Sequence, residues 1–504
     1  MPRHQVFGVM FVLAVAPAIM PAEVRGQYAQ VYGGPTFTSG VGGYTADDSN
    51  IGELVVNDQG LAVGYAFLAQ GSLNLGMRPI AWGPTVGVQV MQILGTDARG
   101  KSDVNGAFLL SENGAAYGRV TQYAQGHAVT DLVVRWDTVD SGPIAFTAFP
   151  GPTHPYSAIA TATNGRGVIV GQAGKLFNAT DFAWVPVRWE GNGTTLQALE
   201  APDASPTSKV SGIALAVNQN GTAVGAATEY DAGGKPLPSR PVRWDPGETT
   251  GTELLTPWTG NPEAQTYAKG IADDGTIVGV VDIGTKPGQT RAIRWDPGSN
   301  VGYVLGDLSS AATRNPYAYT VAISRSAIIL GLAEKRADDG SFLGFRGVRW
   351  YPGDADPQEL GVLDFRSDGV ANAFVHAINF SGAAVGQSDI YDANDELVGT
   401  RAVYWGPDTT VPLDLNTLID PASGWTLQEA RAISDNGWVA GYGAFDPDGS
   451  GPALPYQRPF SMQVPEPNQI ASGVILGVVG SWRRARKHPA MPRRNSAFAR
   501  CRAA

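Results

Sequence analysis

The sequence predicts an all-β protein, a single β-propeller of eight four-stranded blades, with seven blades as the alternative count. Three observations predict it. A glycine-centred motif recurs eight times at near-constant spacing, a tryptophan-terminated strand follows seven of the copies, and no long segment carries the apolar spacing of an amphipathic helix. Composition agrees: 64 Gly, 35 Pro and only 16% charged residues suit many short strands and tight turns. Length alone decides nothing, because propellers of 504 residues fold as single units.

The first element is an export segment. Arg3 and His4 precede an apolar run from Val6 to Ala16, and small residues follow between Ala18 and Gly26, so residues 1–26 read as a signal peptide. The run is shorter than the ~20 residues of a membrane span. Next comes "YAQVYG", Tyr28 to Gly33, a strand-like piece that precedes the first repeat and is expected to complete the last blade, closing the ring.

The eight repeats of about 54 residues fill 27–463. Their first beat includes "VVNDQGLAVGYA" from Val55, "AVNQNGTAVGAA" from Ala216 and "AISDNGWVAGYG" from Ala432. The second glycines are Gly64, Gly118, Gly171, Gly225, Gly279, Gly331, Gly386 and Gly441, spaced 54, 53, 54, 54, 52, 55 and 55. Asn-Gly and Asp-Gly pairs between apolar runs are hairpin turn chemistry. The second glycine, inside the following strand, predicts close approach of a neighbouring sheet.

A second beat ends in tryptophan, at Trp82, Trp136, Trp189, Trp244, Trp295, Trp350 and Trp405, and Met462 takes that place in the eighth copy. A tryptophan closing a strand suits packing between sheets, with its N–H seeking an acceptor. A third beat, a short apolar strand such as "LQAL" from Leu196, follows the first seven. Each unit therefore holds four strands. Because the polar beat stands at eight equivalent positions, it is structural and not an active site.

The unit resembles the extracellular HAF repeat, whose motif runs Ile-Asn-x-x-Gly-x-x-Val-Gly and then His-Ala-Phe-x-Trp. "AINFSGAAVGQ" followed by "RAVYW" carries the likeness over nearly all of residues 50–463, with an arginine in place of the histidine at Arg78, Arg240, Arg291, Arg346, Arg401 and Arg458. The resemblance implies an exported bacterial repeat protein and supplies no catalytic residues.

The tail begins at Val464. Pro465, Glu466 and Pro467, an apolar stretch from Ile470 to Trp482, and the basic cluster Arg483, Arg484, Arg486 and Lys487 resemble the PEP-CTERM sorting signal. That resemblance implies an exosortase-type processing enzyme as partner and transient membrane anchoring, with the chain ending in the cell envelope or outside the cell.

Charge and cysteine content exclude several classes. The net charge is −10, and the two end segments take ten of the 36 basic residues but two of the 46 acidic ones, leaving a propeller of net −18. Such a body repels phosphates, so no nucleic-acid partner is expected. The single Cys501 rules out an intrachain disulfide and thiol chemistry in the propeller.

Few residues qualify as a site. His127, His154 and His376 share no metal-ligand spacing and read as loop or surface residues. Asp446, Asp448 and Ser450 alternate as in a calcium loop, with Gln457 where a bidentate Glu would stand, and form the calcium candidate. No other cofactor is expected. Loops between second and third strands, such as those at Asp231, Asp338, Asp339 and Asp392, vary in sequence and emerge on one face, as binding loops on a rigid scaffold do.

The expected function is therefore a binding or structural module at the cell surface or in the extracellular matrix, meeting polysaccharide or protein through that face. No catalytic constellation is legible, so an enzyme is not expected. The alternative is a propeller-type glycoside hydrolase or lyase, which needs carboxylates converging at the channel.

Overall fold

Period-2 alternation on either side of each turn makes consecutive strands antiparallel hairpins, and eight sheets of four strands result, each in sequence order except the last. The computed structural model describes residues 28–34, 45–70, 73–103, 108–151, 157–178, 181–190, 193–202, 209–231, 233–257, 265–282, 290–308, 317–449, 451 and 454–465. The first strands of the blades are Thr45–Val56, Leu109–Leu110, Ala158–Thr163, Val210–Val217, Gln265–Ile271, Ala318–Ile323, Ala373–Ile378 and Trp425–Ile433. Each touches the next, and the last touches the first, so they close a ring around a central channel.

The eighth blade is composite. Its outermost strand is Tyr32–Gly33, paired antiparallel to Tyr456–Gln463 with Tyr32 opposite Ser461. The expected closure by the N-terminal strand is thus observed. Ala29 and Val31 pack into the eighth-blade core with Phe460 and Met462.

The tryptophans are the mortar between blades. All seven are at most 1% exposed, and six donate their indole N–H to a carbonyl just past the fourth strand of the preceding blade. Trp244 to Glu200 at 2.8 Å is representative. Each of these six indoles contributes its large apolar area and also satisfies its polar edge, whereas Trp82 Nε1 is buried without an acceptor among the described residues. Two arginines preceding a tryptophan extend the same joint: Arg188 and Arg349 are fully buried and donate to the third-to-fourth turns of the next blade, at Asp245 and at Pro407.

The Asn of the turn does two jobs. Asn218 Oδ1 accepts from the N–H groups of Asn220 and Thr222, closing its own hairpin, while Nδ2 donates to Ala272 of the next blade. Asn164 and Asn379 repeat the inter-blade bond, to Asn218 and Ser434. The turn glycines hold positive φ, for example +92° at Gly221, and in the sixth blade Ala327 bears φ +65° in that place.

The second-strand glycines have a different cause from the one expected. A Cβ on Gly171, Gly225, Gly279, Gly386 or Gly441 would lie 1.9–2.0 Å from a carbonyl oxygen of the first strand in its own blade. The close neighbour is an adjacent strand and not an adjacent sheet. At that point the first strand bulges, between Ala160/Ala162, Ala214/Ala216, Ala268/Gly270, Val375/Ala377 and Ala430/Ala432 in the five blades.

Candidate functional site

The bulge sets one residue of each innermost strand apart, and in blades five and six that residue, Lys269 and Val321, reaches the channel wall. One residue per blade is left out of the ladder: Thr161, Leu215, Lys269, Val321, His376 and Arg431 in blades three to eight. Each stands ten residues before its second-strand glycine, yet no two are alike. The repeat thus fixes a frame and leaves one variable position in each of these six blades.

Blades three to six enclose a cavity of about 350 Å³ at the end of the channel nearer the Asn-Gly turns, and Asn164, Gln219, Lys269, Asp273, Val321 and Arg325 contribute to its wall. Arg325 is paired with Asp435 at 2.5 Å, and Asp273 accepts the N–H of Gln219 at 3.0 Å. Lys269 has no ion pair or hydrogen bond among the described residues. Its ammonium reaches channel water yet is hemmed in by the surrounding strands, and that burial lowers its pKa.

Across the channel, His376 Nε2 lies 2.9 Å from Glu429, a hydrogen bond when Nε2 carries the proton, and Arg431 Nε lies 2.7 Å from the same oxygen. Burial pushes the Glu429 carboxyl up, but the His376 hydrogen bond and the Arg431 charge outweigh it and hold the pKa below the ordinary value of 4.5. His376 is therefore a wall residue engaged by the next blade, not the loop or surface residue the sequence suggested.

A carboxyl held low adds stability above its unfolded value and loses it as pH falls through the folded one. Glu429→Gln is accordingly expected to cost about 1 kcal/mol at pH 7, with the deficit closing as the wild type protonates below pH 4.5. Denaturant melts at pH 7 and pH 3.5 check this, and an undiminished deficit at pH 3.5 would remove the charge from the explanation.

Carboxylates from different blades also meet at the channel mouth, where each is tied to a neighbouring backbone. Glu112 accepts from Asp58 N–H at 3.1 Å, Asp58 from Asn436 N–H at 2.7 Å, and Asp435 from Phe380 N–H at 2.7 Å. Burial raises the Glu112 pKa, against the Asp58 amide bond that lowers it, and the charges of Asp58 and Asp435 raise it further. These groups lock blade to blade.

The calcium candidate is a turn. Asp446 Oδ1 accepts the N–H of Asp448 at 3.3 Å, and Gly451 abuts the Asp448 carboxylate; Ser450 lies outside the described residues. Among the described residues no group of three or more His, Cys, Asp or Glu is placed to hold a metal ion. The loop aspartates close their own turns: Asp231 accepts from Gly233 and Lys235, Asp392 from Asn394 and Glu396. His127 is exposed at the start of a third strand. His154, the signal segment 1–26, Glu466, Pro467 and the basic cluster from Arg483 to Lys487 lie outside the described residues, and Pro465 is the last described position.

The face opposite the Asn-Gly turns gathers exposed apolar side chains over blades six and seven. Phe342 and Phe365 are 40% and 59% exposed, Leu397 and Val398 58% and 61%. The loop carrying Phe365 is joined to the next hairpin by Ser367 N–H bonding Asp395 at 2.7 Å. Behind Phe342 stands an aromatic ladder, with Phe345 at 5.4 Å, then Tyr317 at 6.3 Å and Phe374 at 6.2 Å from Phe345.

No family model and no curated protein sequence matches the chain. Among solved structures it is similar to a puromycin-hydrolysing peptidase of Mycobacterium tuberculosis at 11% identity and TM-score 0.42, covering 79% of this chain and 58% of that one. It therefore spans little more than half of that peptidase. The Dos1 propeller is similar at 10% identity and TM-score 0.42, with 86% and 95% covered, and an ulvan lyase at 14% identity and TM-score 0.37, with 75% and 99% covered. Likenesses this distant carry no functional reading.

Proposed function

We propose that the chain is an exported binding module of the cell envelope or extracellular matrix that engages polysaccharide through its variable-loop face. The observation that carries this reading is the exposed set Phe342, Phe365, Leu397 and Val398, gathered on one face of two adjacent blades and backed by the aromatic ladder. Aromatic and apolar side chains held on strand ends and on a loop pinned to the next hairpin give a sugar ring a surface to stack on, with little ordering to be done on binding.

Export and sorting belong to the same proposal. The HAF-like repeats, the signal-like segment 1–26 and the PEP-CTERM-like tail support delivery across a membrane and processing by an exosortase-type enzyme. The position of the chain's exit supports the orientation. Val464 donates its N–H to Gly437 O, in the eighth Asn-Gly turn, so an anchored tail would turn the loop face outward.

An enzymatic role would need carboxylates placed to act on a substrate, and Asp58, Glu112 and Asp435 each accept a backbone amide across a blade junction, which favours a structural part for them. The deciding experiment screens residues 27–463 against immobilised polysaccharides, with product analysis on every hit. Binding without turnover, weakened at least about tenfold by the double variant Phe342→Ala/Phe365→Ala, is the expected result. Turnover of a bound glycan would replace this reading with that of a glycoside hydrolase or lyase.

A further inference from the structure

The channel offers a second surface of different chemistry. In a propeller whose net charge is −18, the six bulge positions supply Lys269, His376 and Arg431 and no acid, and the acid in the cavity wall, Asp273, is engaged by the Gln219 N–H. Arg431 and His376 are both directed at Glu429, and Arg325 at the mouth is paired with Asp435. Lys269 is left as a cation without a partner among the described residues, in a cavity of about 350 Å³. A volume of that order takes a small organic ligand and not merely an inorganic ion.

We propose that this cavity binds a single acidic sugar residue, a uronate, whose carboxylate pairs with Lys269 and whose ring lies against the apolar wall of Val217, Ile271, Val321 and Ile323. The proposal rests on the reading of the chain as a glycan-binding module but places the acidic residue at a site separate from the loop face.

Three features select this chemistry. One ammonium matches one monovalent carboxylate, whereas a phosphate dianion calls for several converging donors. The remaining polar groups of the wall are engaged: Asn164 in its turn and its inter-blade bond, Thr320 with Gly279 O. They would accept few new bonds, so orientation falls to the charge and the apolar contact. Burial is the sole cause that lowers the Lys269 pKa, and a bound carboxylate would relieve it by supplying the missing counter-charge.

The test titrates residues 27–463 with glucuronate and with glucose, which differ at the carboxylate, by calorimetry or NMR shift perturbation. Glucuronate is expected to bind at least tenfold tighter than glucose. Lys269→Met, which keeps the length of the side chain without its charge, should erase that preference, and Lys269→Arg should retain part of it. Phe342→Ala/Phe365→Ala should leave it intact, which separates this site from the loop face. Equal binding of the two sugars, an unchanged preference in Lys269→Met, or no glucuronate binding up to about 20 mM would each overturn the proposal. A refolded Lys269→Met melt matching wild type guards against a variant that fails to fold.

Discussion

Deleting residues 28–34 is expected to abolish the cooperative thermal transition, or to lower the midpoint by tens of degrees, with aggregation replacing a monodisperse monomer. The segment is short, but it seals the ring. Tyr32 and Gly33 pair with Ser461 and Phe460, Gly34 N–H bonds Pro459 O at 2.9 Å, Ala29 N–H bonds Leu418 O at 2.8 Å, and Arg458 donates to Gly34 O at 3.0 Å. Each such bond contributes about 1 kcal/mol net, and Ala29 and Val31 leave the eighth-blade core as well. The total approaches the 5–15 kcal/mol that holds an average domain together. The deletion also bares strand Tyr456–Gln463 as an open edge, a template for intermolecular pairing. Calorimetry and size-exclusion chromatography decide it: a truncated chain that stays monomeric and melts within a few degrees of wild type would show that the closure is ornamental.

Gly386→Ala is expected to cost at least about 3 kcal/mol, the range of severe core lesions. The new methyl carbon would lie 1.9 Å from Phe374 O, so the bulge between Val375 and Ala377 must move, and the obstacle is backbone. Gly225→Ala meets Ile213 O at 2.0 Å in another blade and should cost about as much. Gly142→Ala is the control: its nearest atom is a side-chain oxygen at 3.5 Å, and its melt should stay within about 0.5 kcal/mol of wild type. A Gly386→Ala protein as stable as that control would mean that the first strand adjusts freely and that the bulge is not imposed by the glycine.

The repeat made the frame legible because its signals are local. An Asn-Gly turn, a strand ending in tryptophan and a fixed period read directly as a blade, and "YAQVYG" standing before the first repeat announced the closing strand. What local signals cannot report is a partner one period away. Asn218 was readable as a turn residue, yet its bond to Ala272 spans 54 positions. His376 and Glu429 are 53 positions apart and share no motif, so the histidine looked idle. The second-strand glycine was rightly read as a place of close approach, but the sequence could not tell a carbonyl in the same sheet from a neighbouring sheet. Lys269 could have been singled out by one rule, the non-repeating residue ten before each second-strand glycine, once the bulge was known to leave that position unpaired.

The composite eighth blade also sets how the molecule carries load. Residues preceding Tyr32 run beside those following Ser461, because the two strands are antiparallel, so both ends of the described chain emerge at one corner. Force applied between those ends would part the strands one rung at a time, as a zip opens, at little resistance. Force applied at Pro465 alone enters Tyr456–Gln463, which is bonded along both edges, to Trp438–Phe445 on one side and Tyr32–Gly33 on the other. A propeller held by its tail would therefore share the load between the body of the eighth blade and the two-residue seam.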